Sequence, residues 1–423
     1  MPPERGRLTA VFLVLFVDLV GFSIVFPLFP AMLAWYSERS GDVLHRWMAP
    51  LAALFPDSDP WQRAALFGGL LGALYAGLQF LAAPLWGRWS DRRGRRPVLL
   101  WSLAGSLLAN ALWVFASDFL LLALSRIIAG AMTGNVAVAQ AAVSDLTDSA
   151  GRSRGMAIVG MAFGLGFIIG PALGGWLGGW RLDHLPLPGL HPFSVPALAA
   201  CALSAINLLW VALAFRETLD PAQRARAAAR PGRGWLPWRQ GLPRRVHALN
   251  GISFVHTFWF SGLEMTLGFL AMQYLGLGPA ALGLAFAGMG LGSAAVQGAL
   301  VRPWGARLGM SRLAIAGCLA HIAGFLSLLA LVVWPSAPAF ALALALHAIG
   351  CGLLFPSLAT LVSLEAASDQ QGLALGGFRS AAALGRTLGP LLVAALYFAS
   401  PALAYALAAG GMLALALWIS SLR

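Results

Sequence analysis

The chain has 423 residues, of which 59% are hydrophobic and only 10% are charged, and its mean hydropathy is +0.77. This composition excludes a water-soluble globular protein, because a soluble fold of this length cannot bury so much apolar surface. The net charge of +12 comes entirely from arginine, since the sequence contains no lysine. The absence of lysine also excludes the phosphate-binding loop of ATP-driven pumps, which requires a Gly-Lys pair.

Twelve apolar segments predict helices that cross a membrane, because about 20 residues of helix span the roughly 30 Å hydrocarbon layer. The sequence therefore predicts an all-α membrane protein with twelve transmembrane helices in two six-helix bundles. In chain order the predicted spans cover residues 8–34, 64–86, 97–116, 119–146, 154–179, 194–215, 246–275, 280–301, 310–333, 337–363, 371–398 and 401–422.

Between spans 6 and 7 the apolar pattern stops at residues 216–245, a segment with eight arginines and four prolines. We interpret this segment as a cytoplasmic linker. It would join an N-terminal bundle, residues 1–215, to a C-terminal bundle, residues 246–423.

The arginines outside the spans indicate how the chain is oriented in the membrane. Almost all of them fall in segments on one side, and the other side holds only Arg39, Arg46, Arg63 and Arg181. By the positive-inside rule both termini are predicted to be cytoplasmic, in the inner membrane of a bacterial cell. Anionic lipid on that side accounts for the net charge, so no nucleic-acid partner is expected.

Spans 2 and 3 are separated by a charged decapeptide, Gly87–Arg96, with five arginines and one aspartate. We expect a loop in which two glycines permit a tight turn and Asp91 accepts hydrogen bonds at the N-terminus of a neighbouring helix, while the arginines bind carboxylates across the interface between the two halves. A loop that is basic only for topology would need neither Asp91 nor the glycines. The candidate residues for a gating network are Gly87, Asp91, Arg92, Gly94, Arg95 and Arg96.

This decapeptide resembles the signature between the second and third helices of the major facilitator superfamily. The resemblance implies a transporter whose two halves rock around a central site. It also implies that the decapeptide contacts the start of span 11 and the cytoplasmic end of span 4, where Asp145 lies.

Span 5 carries glycines at every fourth position, which leaves one helix face as bare backbone on which a second helix can pack. A proline within this ladder removes a backbone hydrogen bond and allows a bend. The motif consists of Gly166, Gly170, Pro171, Gly174 and Gly175. Together with Asp18 in span 1 and Arg126 and Gln140 in span 4, it resembles the drug:proton antiporter branch, which includes the tetracycline exporters.

The second half of the chain is similar to animal tetracycline-transporter-like proteins around Glu264, Arg379 and Arg386. Its Gly389-Pro390 pair matches Gly170-Pro171 of span 5, which indicates an internal repeat. A weaker echo of the decapeptide follows span 8 at residues 298–302. It ends in Arg302, where a repeat of the signature would need an acid.

Ionisable residues inside the spans are the candidate functional groups, because a charge at the bilayer centre costs about 2.5–3.5 kcal/mol on insertion scales. They are Asp18, Arg126, Glu264, Arg379, Arg386, His256, His321 and His347. Burial favours the protonated form of a carboxylate, so Glu264 and Asp18 are the predicted proton-coupling residues. The predicted substrate-cavity residues are Arg126, Arg386, Arg379, His347 and Gln140.

Each of these roles has a structural alternative. Glu264 could form a fixed ion pair with Arg386 or Arg379. Asp18 could pair permanently with Arg126. Lone histidines are more often satisfied interior groups than proton carriers. The three cysteines all lie inside predicted spans, so we expect neither a disulfide nor a metal-ligand cluster.

Together these features predict a secondary transporter with no catalytic residues, no cofactor and no metal. We expect a monomer in the lipid bilayer that exports a small amphipathic organic compound, either a drug or an organic anion, in exchange for protons by alternating access. Two alternatives stay open. One is a facilitative or proton-symport carrier of a metabolite or lipid-like molecule, and the other is a non-transporting receptor or scaffold with the same fold.

Overall fold

The computed structural model describes residues 3–39, 41–53, 60–184, 187–229, 241–277 and 279–422. The α-helices of the first part of the chain are α1 (Pro3–Ser23), α2 (Phe29–Arg39), α3 (Gly41–Ala52), α4 (Pro60–Arg93), α5 (Arg95–Val114), α6 (Phe119–Ala131), α7 (Gly134–Leu146), α8 (Arg152–Leu177) and α9 (Ser194–Ala214). Those of the remainder are α10 (Pro221–Ala229), α11 (Arg244–Leu275), α12 (Pro279–Val296), α13 (Arg302–Leu308), α14 (Met310–Val333), α15 (Ala337–Glu365), α16 (Gln371–Ala399) and α17 (Pro401–Ser421).

Within the described residues, eleven segments are long and apolar enough to cross a membrane. Helix α11 is not among them, although its 32 residues are long enough to span a bilayer. Polar residues along it, such as His256, Glu264 and Gln273, lower its hydropathy. The protein is therefore an all-α, multi-pass membrane protein.

The first predicted span, residues 8–34, is not one continuous helix. Helix α1 ends at Ser23, a 3-10 turn follows at Phe26–Leu28, and α2 begins at Phe29. Pro27 causes the interruption, because it has no N–H to donate and its ring obstructs the preceding turn. Helices α2 and α3 then occupy much of the region between the first two predicted spans, and both contact α4.

Span 4 is also interrupted, between α6 and α7 at Met132 and Thr133. The interruption is stabilised from outside the helix: Nε1–H of Trp86 donates to the carbonyl of Ala131 at 2.7 Å. Within the break, the hydroxyl of Thr133 donates to the carbonyl of Gly130 at 2.7 Å. These bonds add side-chain donors to carbonyl groups at the break, where the regular helix hydrogen bonds end.

The charged decapeptide is mostly helical, contrary to the predicted loop. Helix α4 continues to Arg93, and α5 begins at Arg95. Only Gly94 breaks the helix. Its φ is 103°, a value that residues with a Cβ atom rarely adopt. The N–H of Gly94 still donates to the carbonyl of Ser90 at 3.0 Å, so the α4 hydrogen bonds run up to the turn. Gly87 and Asp91 therefore lie one turn apart on α4.

The predicted linker, residues 216–245, is partly helical. Its helix α10 contacts α4 and the 3-10 turn Ser368–Gln370 that precedes α16. Residues 230–240 of the linker lie outside the described residues. The division into bundles 1–215 and 246–423 stays a prediction.

A glycine ladder joins α8 to α1. A Cβ on Gly166 would lie 2.6 Å from Cβ of Leu19, and one on Gly170 or Gly174 would collide with Ser23 or with the backbone of Ile24. The motif glycine Gly175 faces open space instead. The expected close packing of a second helix on this face is thus made by α1 and the turn that follows it.

Helix α16 packs on α11 through glycines in the same way as α8 packs on α1. The hydroxyl of Ser23 donates to the carbonyl of Gly166 at 3.0 Å, and the hydroxyl of Ser261 donates to the carbonyl of Gly385 at 3.3 Å. Gly389 packs against the backbone of α11 as Gly170 packs against that of α1. The two Gly-Pro pairs therefore occupy equivalent positions, as an internal repeat requires.

Candidate functional site

Asp91 connects the two parts of the chain at one end of the helices. Its Oδ1 accepts the N–H of Gly372 and its Oδ2 accepts the N–H of Leu373, each at 2.8 Å. These are free N–H groups of the first turn of α16, where the helix dipole also favours a negative charge. The carboxylate is buried, so solvent does not screen this contact.

Arg95 holds Asp91 in position. Its Nη1 lies 2.7 Å from Oδ1 of Asp91, and its Nε lies 2.8 Å from Oδ2 of Asp145. The guanidinium is fully buried. Both carboxylates belong to the first half of the chain, so the arginine orients Asp91 and forms no ion pair with the described part of the second half, contrary to the sequence-based expectation.

Glu217, which the sequence analysis missed, completes this network. Its carboxylate accepts the backbone N–H of Arg95 at 2.8 Å and that of Arg96 at 3.1 Å, and so caps the N-terminus of α5. A Cβ on Gly94 would collide with Glu217. Arg92 contributes its carbonyl, which accepts from Nε of Arg224 at 3.2 Å. The sequence does contain a signal for this role, because Glu217 is one of only two acidic residues in the basic segment 216–245.

A second contact at the same end joins α8 to α15. Nη1 of Arg152 donates to the hydroxyl of Ser363 at 2.6 Å, and that hydroxyl also lies 2.7 Å from the hydroxyl of Ser144. Arg245 pairs with Glu365 nearby at 2.9 Å. We call this end of the helices, marked by Arg95, Arg152 and Arg245, the arginine-rich end.

Glycines bring α4 and α16 into backbone contact there. A Cβ on Gly87 would collide with the carbonyl of Gly372, and a Cβ on Gly372 would collide with that of Gly87. We call this contact the α4–α16 seam. It continues along the helices, where the hydroxyl of Ser380 donates to the carbonyl of Phe80 at 2.6 Å.

The counterpart of the decapeptide in the second half lies later than residues 298–302. That stretch is helical, and Arg302 is exposed. The true counterpart of Gly94 is Gly309, which precedes α14 with a φ of 83°. Asp91 precedes Gly94 by three residues, and the residue that precedes Gly309 by three is Ala306, so no acid occupies the equivalent position.

Asp18 and Arg126 are not paired with each other. The amide of Asn135 hydrogen-bonds the Asp18 carboxylate. The Arg126 guanidinium lies 4.9 Å from the ring centroid of Trp113, and its Nε contacts the hydroxyl of Ser125 at 3.2 Å. Its Nη2 is buried without a hydrogen-bond partner. The alternative of a permanent Asp18–Arg126 pair is therefore wrong for this structure.

Arg379 has a similar environment in the second half. Its guanidinium lies 4.4 Å from the ring centroid of Phe163 and 5.0 Å from that of Phe355. Its Nε and Nη2 are buried without hydrogen-bond partners. Gln140 of α7 is fully buried, and neither atom of its amide has a partner.

Tyr75 lies among the embedded charges and was missed by the sequence analysis. It interacts electrostatically with Asp18, Arg126, Arg379 and Arg386. These four residues come from α1, α6 and α16, so Tyr75 marks the point where both halves approach one another. The position of Tyr75 in the sequence is itself unusual, because tyrosine in membrane helices favours the membrane–water interface whereas Tyr75 lies in the middle of a predicted span.

Glu264 of α11 is partly buried and interacts electrostatically with Arg386. Among the described residues, Glu264 forms no ion pair within 4.0 Å with either Arg386 or Arg379. The carboxylate therefore has a cationic neighbour but no fixed contact with it. His347, by contrast, is fully buried against His321, away from any surface that a ligand could touch.

The comparison with known proteins decides the family. The model of the Major Facilitator Superfamily matches residues 11–272. The chain belongs to the Major Facilitator Superfamily. Members of this superfamily are transporters and not enzymes, and the superfamily predicted from the decapeptide is thus confirmed.

Two curated relatives cover most of the superfamily fold in this chain. Human major facilitator superfamily domain-containing protein 10 is 32% identical over 426 residues, which cover 94% of this chain and 88% of the relative. The class C tetracycline resistance protein of Escherichia coli is 30% identical over 406 residues, covering 91% and 88%. The crystal structure of the human organic anion transporter MFSD10 superposes with a TM-score of 0.86 at 30% identity, over 99% of this chain and 100% of that one.

Proposed function

We propose that the protein is a proton-coupled secondary transporter that exports a small amphipathic organic anion by alternating access. The observation that carries the proposal is a pair of buried guanidinium groups, Arg126 in the first half and Arg379 in the second, with donor nitrogens that have no partner. Unpaired charged donors at membrane depth are costly unless a ligand binds them.

The surroundings of the two arginines indicate the chemistry of this ligand. Guanidinium groups form strong, directional hydrogen bonds with carboxylates, sulfonates and phosphates. The rings of Trp113, Phe163 and Phe355 lie beside them and offer apolar contact to the body of the same molecule. An organic anion with an aromatic or aliphatic part satisfies both requirements. The human relative is described as an organic anion transporter, which supports this substrate class.

Asp18 and Glu264 are the proposed proton carriers. Glu264 interacts electrostatically with Arg386, and Asp18 interacts with Tyr75, which in turn interacts with Arg126 and Arg379. Each carboxylate can exist in a neutral form that lipid favours. One inward proton supplies about 2.3 kcal/mol per 100 mV of membrane potential. If protonation and anion binding exclude one another, this energy drives export. The tetracycline resistance relatives favour the export direction.

The contact of Asp91 with α16 closes the arginine-rich end in this scheme. Release of Asp91 from the first turn of α16 would let the α4–α16 seam open toward the cytoplasm. We assign the arginine-rich end, both termini and the linker to the cytoplasmic side of a bacterial inner membrane, from the positive-inside rule. The transport unit is a monomer.

Flux measurements in proteoliposomes test the proposal. Vesicles containing the protein are loaded with a fluorescent organic anion, and a pH gradient is imposed. Flux that follows the gradient supports coupled export, and its loss in Glu264→Gln supports the role of that carboxylate. Glu38→Gln is the matched control, because Glu38 is exposed on α2. Flux indifferent to the gradient would indicate a facilitative carrier, and no flux of any anion or drug would indicate a receptor or scaffold.

A further inference from the structure

Three histidines and a cysteine meet inside the second half, although they come from three helices. Nε2 of His256 lies 3.4 Å from Nε2 of His321, and Sγ of Cys351 lies 3.9 Å from the same nitrogen. These three possible ligand atoms all lie within 4.8 Å of one another. Behind them, Nδ1 of His321 lies 2.9 Å from Nδ1 of His347. This cluster contradicts the expectation that the cysteines take part in no ligand group.

Glycines make room for two of the rings. A Cβ on Gly350 would lie 2.6 Å from Cδ2 of His321, and a Cβ on Gly324 would lie 2.8 Å from Nε2 of His347. The arrangement is reciprocal, because each helix carries a histidine followed three residues later by the glycine that faces the other histidine. The α14–α15 contact is therefore shaped around these imidazoles, and their positions are held by packing.

We propose that His256, His321 and Cys351 form a binding site for a Zn²⁺ ion, with His347 as the residue that positions His321. The argument for this site does not rest on the anion exporter proposed above, although Glu264 lies near both. With Zn–N bonds of about 2.0–2.1 Å, the separation of the two Nε2 atoms corresponds to an N–Zn–N angle of about 110°, close to tetrahedral. With a Zn–S bond of about 2.3 Å, the distance from Sγ of Cys351 to Nε2 of His321 corresponds to an N–Zn–S angle of about 125°. The third pair, His256 and Cys351, lies within 4.8 Å and must be within about 4.4 Å when both bind the ion.

The donor set selects this class of ion. Two imidazoles and a thiolate suit Zn²⁺, whereas Mg²⁺ and Ca²⁺ require oxygen ligands. Binding removes the proton of the Cys351 thiol, so the site gains a negative charge that offsets part of the ion's charge. Glu264 and Arg386 both interact electrostatically with Cys351, so one anionic and one cationic group lie near the site. Three protein ligands leave a fourth position for water or another small ligand.

His347 fixes the tautomer that metal binding requires. When Nε2 of His321 binds the ion, its proton is on Nδ1, from which it donates to Nδ1 of His347. Metal-bound histidines almost always donate in this way, and loss of the outer partner costs about 10–100-fold in affinity. The cluster thus contains both the ligands and an outer residue that orients one of them.

The test is a Zn²⁺ titration of the whole chain in detergent, purified without a polyhistidine tag, against a chromogenic chelator. We expect one ion per chain at micromolar free Zn²⁺ or below. X-ray absorption should give two nitrogen scatterers at about 2.0–2.1 Å and one sulfur at about 2.3 Å. Saturating Zn²⁺ should also raise the melting temperature, because it binds only the folded chain.

Variants separate this site from adventitious binding. Cys351→Ser and His256→Gln should weaken Zn²⁺ at least tenfold and remove the sulfur or one nitrogen from the spectrum, and His347→Gln should weaken it about 10–100-fold. Cys201→Ser is the matched control, since Cys201 is partly buried in the other half. A wild-type chain that binds no Zn²⁺, or binds it without a sulfur ligand, would overturn the proposal even if a variant fails to fold. Cysteine and histidine would then form only a hydrogen-bonded interior cluster.

Discussion

Asp91 lies at the first turn of α16, where its Oδ1 accepts the N–H of Gly372 at 2.8 Å. The contact links residues that are far apart in the sequence and belong to opposite halves of the chain. It needs a charge that is buried, oriented by Arg95 and directed along a helix axis. Opening of the arginine-rich end must break it, and four predictions concern this contact, the neighbouring seam, the embedded arginines and the opposite end of the fold.

Replacement Asp91→Asn should open the arginine-rich end. The amide keeps one acceptor but loses the charge, so one N–H of α16 loses its acceptor and the Arg95 guanidinium keeps only Asp145 as a carboxylate partner. Disruption of a buried ion pair costs about 3–5 kcal/mol, which exceeds what most conformational equilibria require. The measurement is the labelling rate of a single cysteine that replaces Ser380, a buried seam residue of nearly the same size, and this rate is expected to rise at least tenfold.

Asp183→Asn is the control for this experiment, because Asp183 forms an exposed pair with Arg181 at 3.3 Å. Such surface pairs contribute little. Equal labelling rates in Asp91→Asn and the wild type would mean that the contact does not hold this end closed.

The α4–α16 seam should not tolerate a methyl group. In Gly87→Ala the new Cβ would collide with the carbonyl of Gly372, a backbone atom that cannot move alone. We expect the population to shift away from the closed seam and transport to fall at least tenfold. The distance between spin labels on α4 and α16 reports the shift.

Gly77→Ala is the matched control, since Gly77 lies on the same helix and has open space where the Cβ would be. Both variants improve helix propensity by about the same amount. A Gly87→Ala protein with wild-type label distances and flux would contradict the idea that backbone contact at the seam is needed.

Arg379→Lys should weaken anion binding although it conserves the charge. Lysine lacks the planar fork that binds two oxygens and is more strongly hydrated than guanidinium. We expect KM for an organic anion to rise about tenfold or more, with a smaller change in kcat. Arg181→Lys, at an exposed position, is the control. Unchanged KM in Arg379→Lys would remove this residue from the binding site.

The loop before α9 should make stability depend on pH. His191 is buried there; its Nε2–H donates to the carbonyl of Trp113 at 2.8 Å, and its Nδ1 accepts the N–H of Phe193 at 3.3 Å. Burial lowers the pKa of His191, and the bond to the Trp113 carbonyl opposes this only in part. Protonation of Nδ1 would place its N–H against the backbone N–H of Phe193, so two hydrogen-bond donors would face each other.

The sign of the effect follows from linkage. Because the pKa of His191 is lower in the folded chain than in the unfolded one, the unfolded chain binds more protons as the pH falls below about 6.5. The contribution of neutral His191 to the free energy of unfolding is therefore fully present above that pH and is lost progressively below it. Between pH 7.5 and 5.0 the melting temperature of the wild type should fall by about 1–2 °C more than that of His191→Gln. His45→Gln, at an exposed site, should behave like the wild type.

Most of the fold follows from the sequence, because lipid sets the length and polarity of each span. Predicted spans 9 to 12 end within two residues of α14 to α17. The interruptions were not predictable in the same way. The break between α6 and α7 depends on Trp86, a residue of another helix, whose indole binds the free carbonyl. No local pattern in span 4 contains that information.

The candidate site was predictable only in part, for a similar reason. Composition identifies which charges lie in the membrane, but the face that each helix presents depends on packing. Asp18 therefore has Asn135 as its partner and not Arg126. The cluster at Cys351 was missed because its members are widely spaced along the chain and only the crossing of α11, α14 and α15 brings them together.

The glycine ladders have a mechanical consequence. Main-chain atoms have no side-chain rotamers that can adjust, so we expect α1 with α8, and α11 with α16, to move as two rigid helix pairs. Asp18 lies on the first pair and Glu264 on the second. The first turn of α16, which Asp91 contacts, belongs to the same pair of helices as Glu264, so we expect a movement of that pair to change the contact with Asp91.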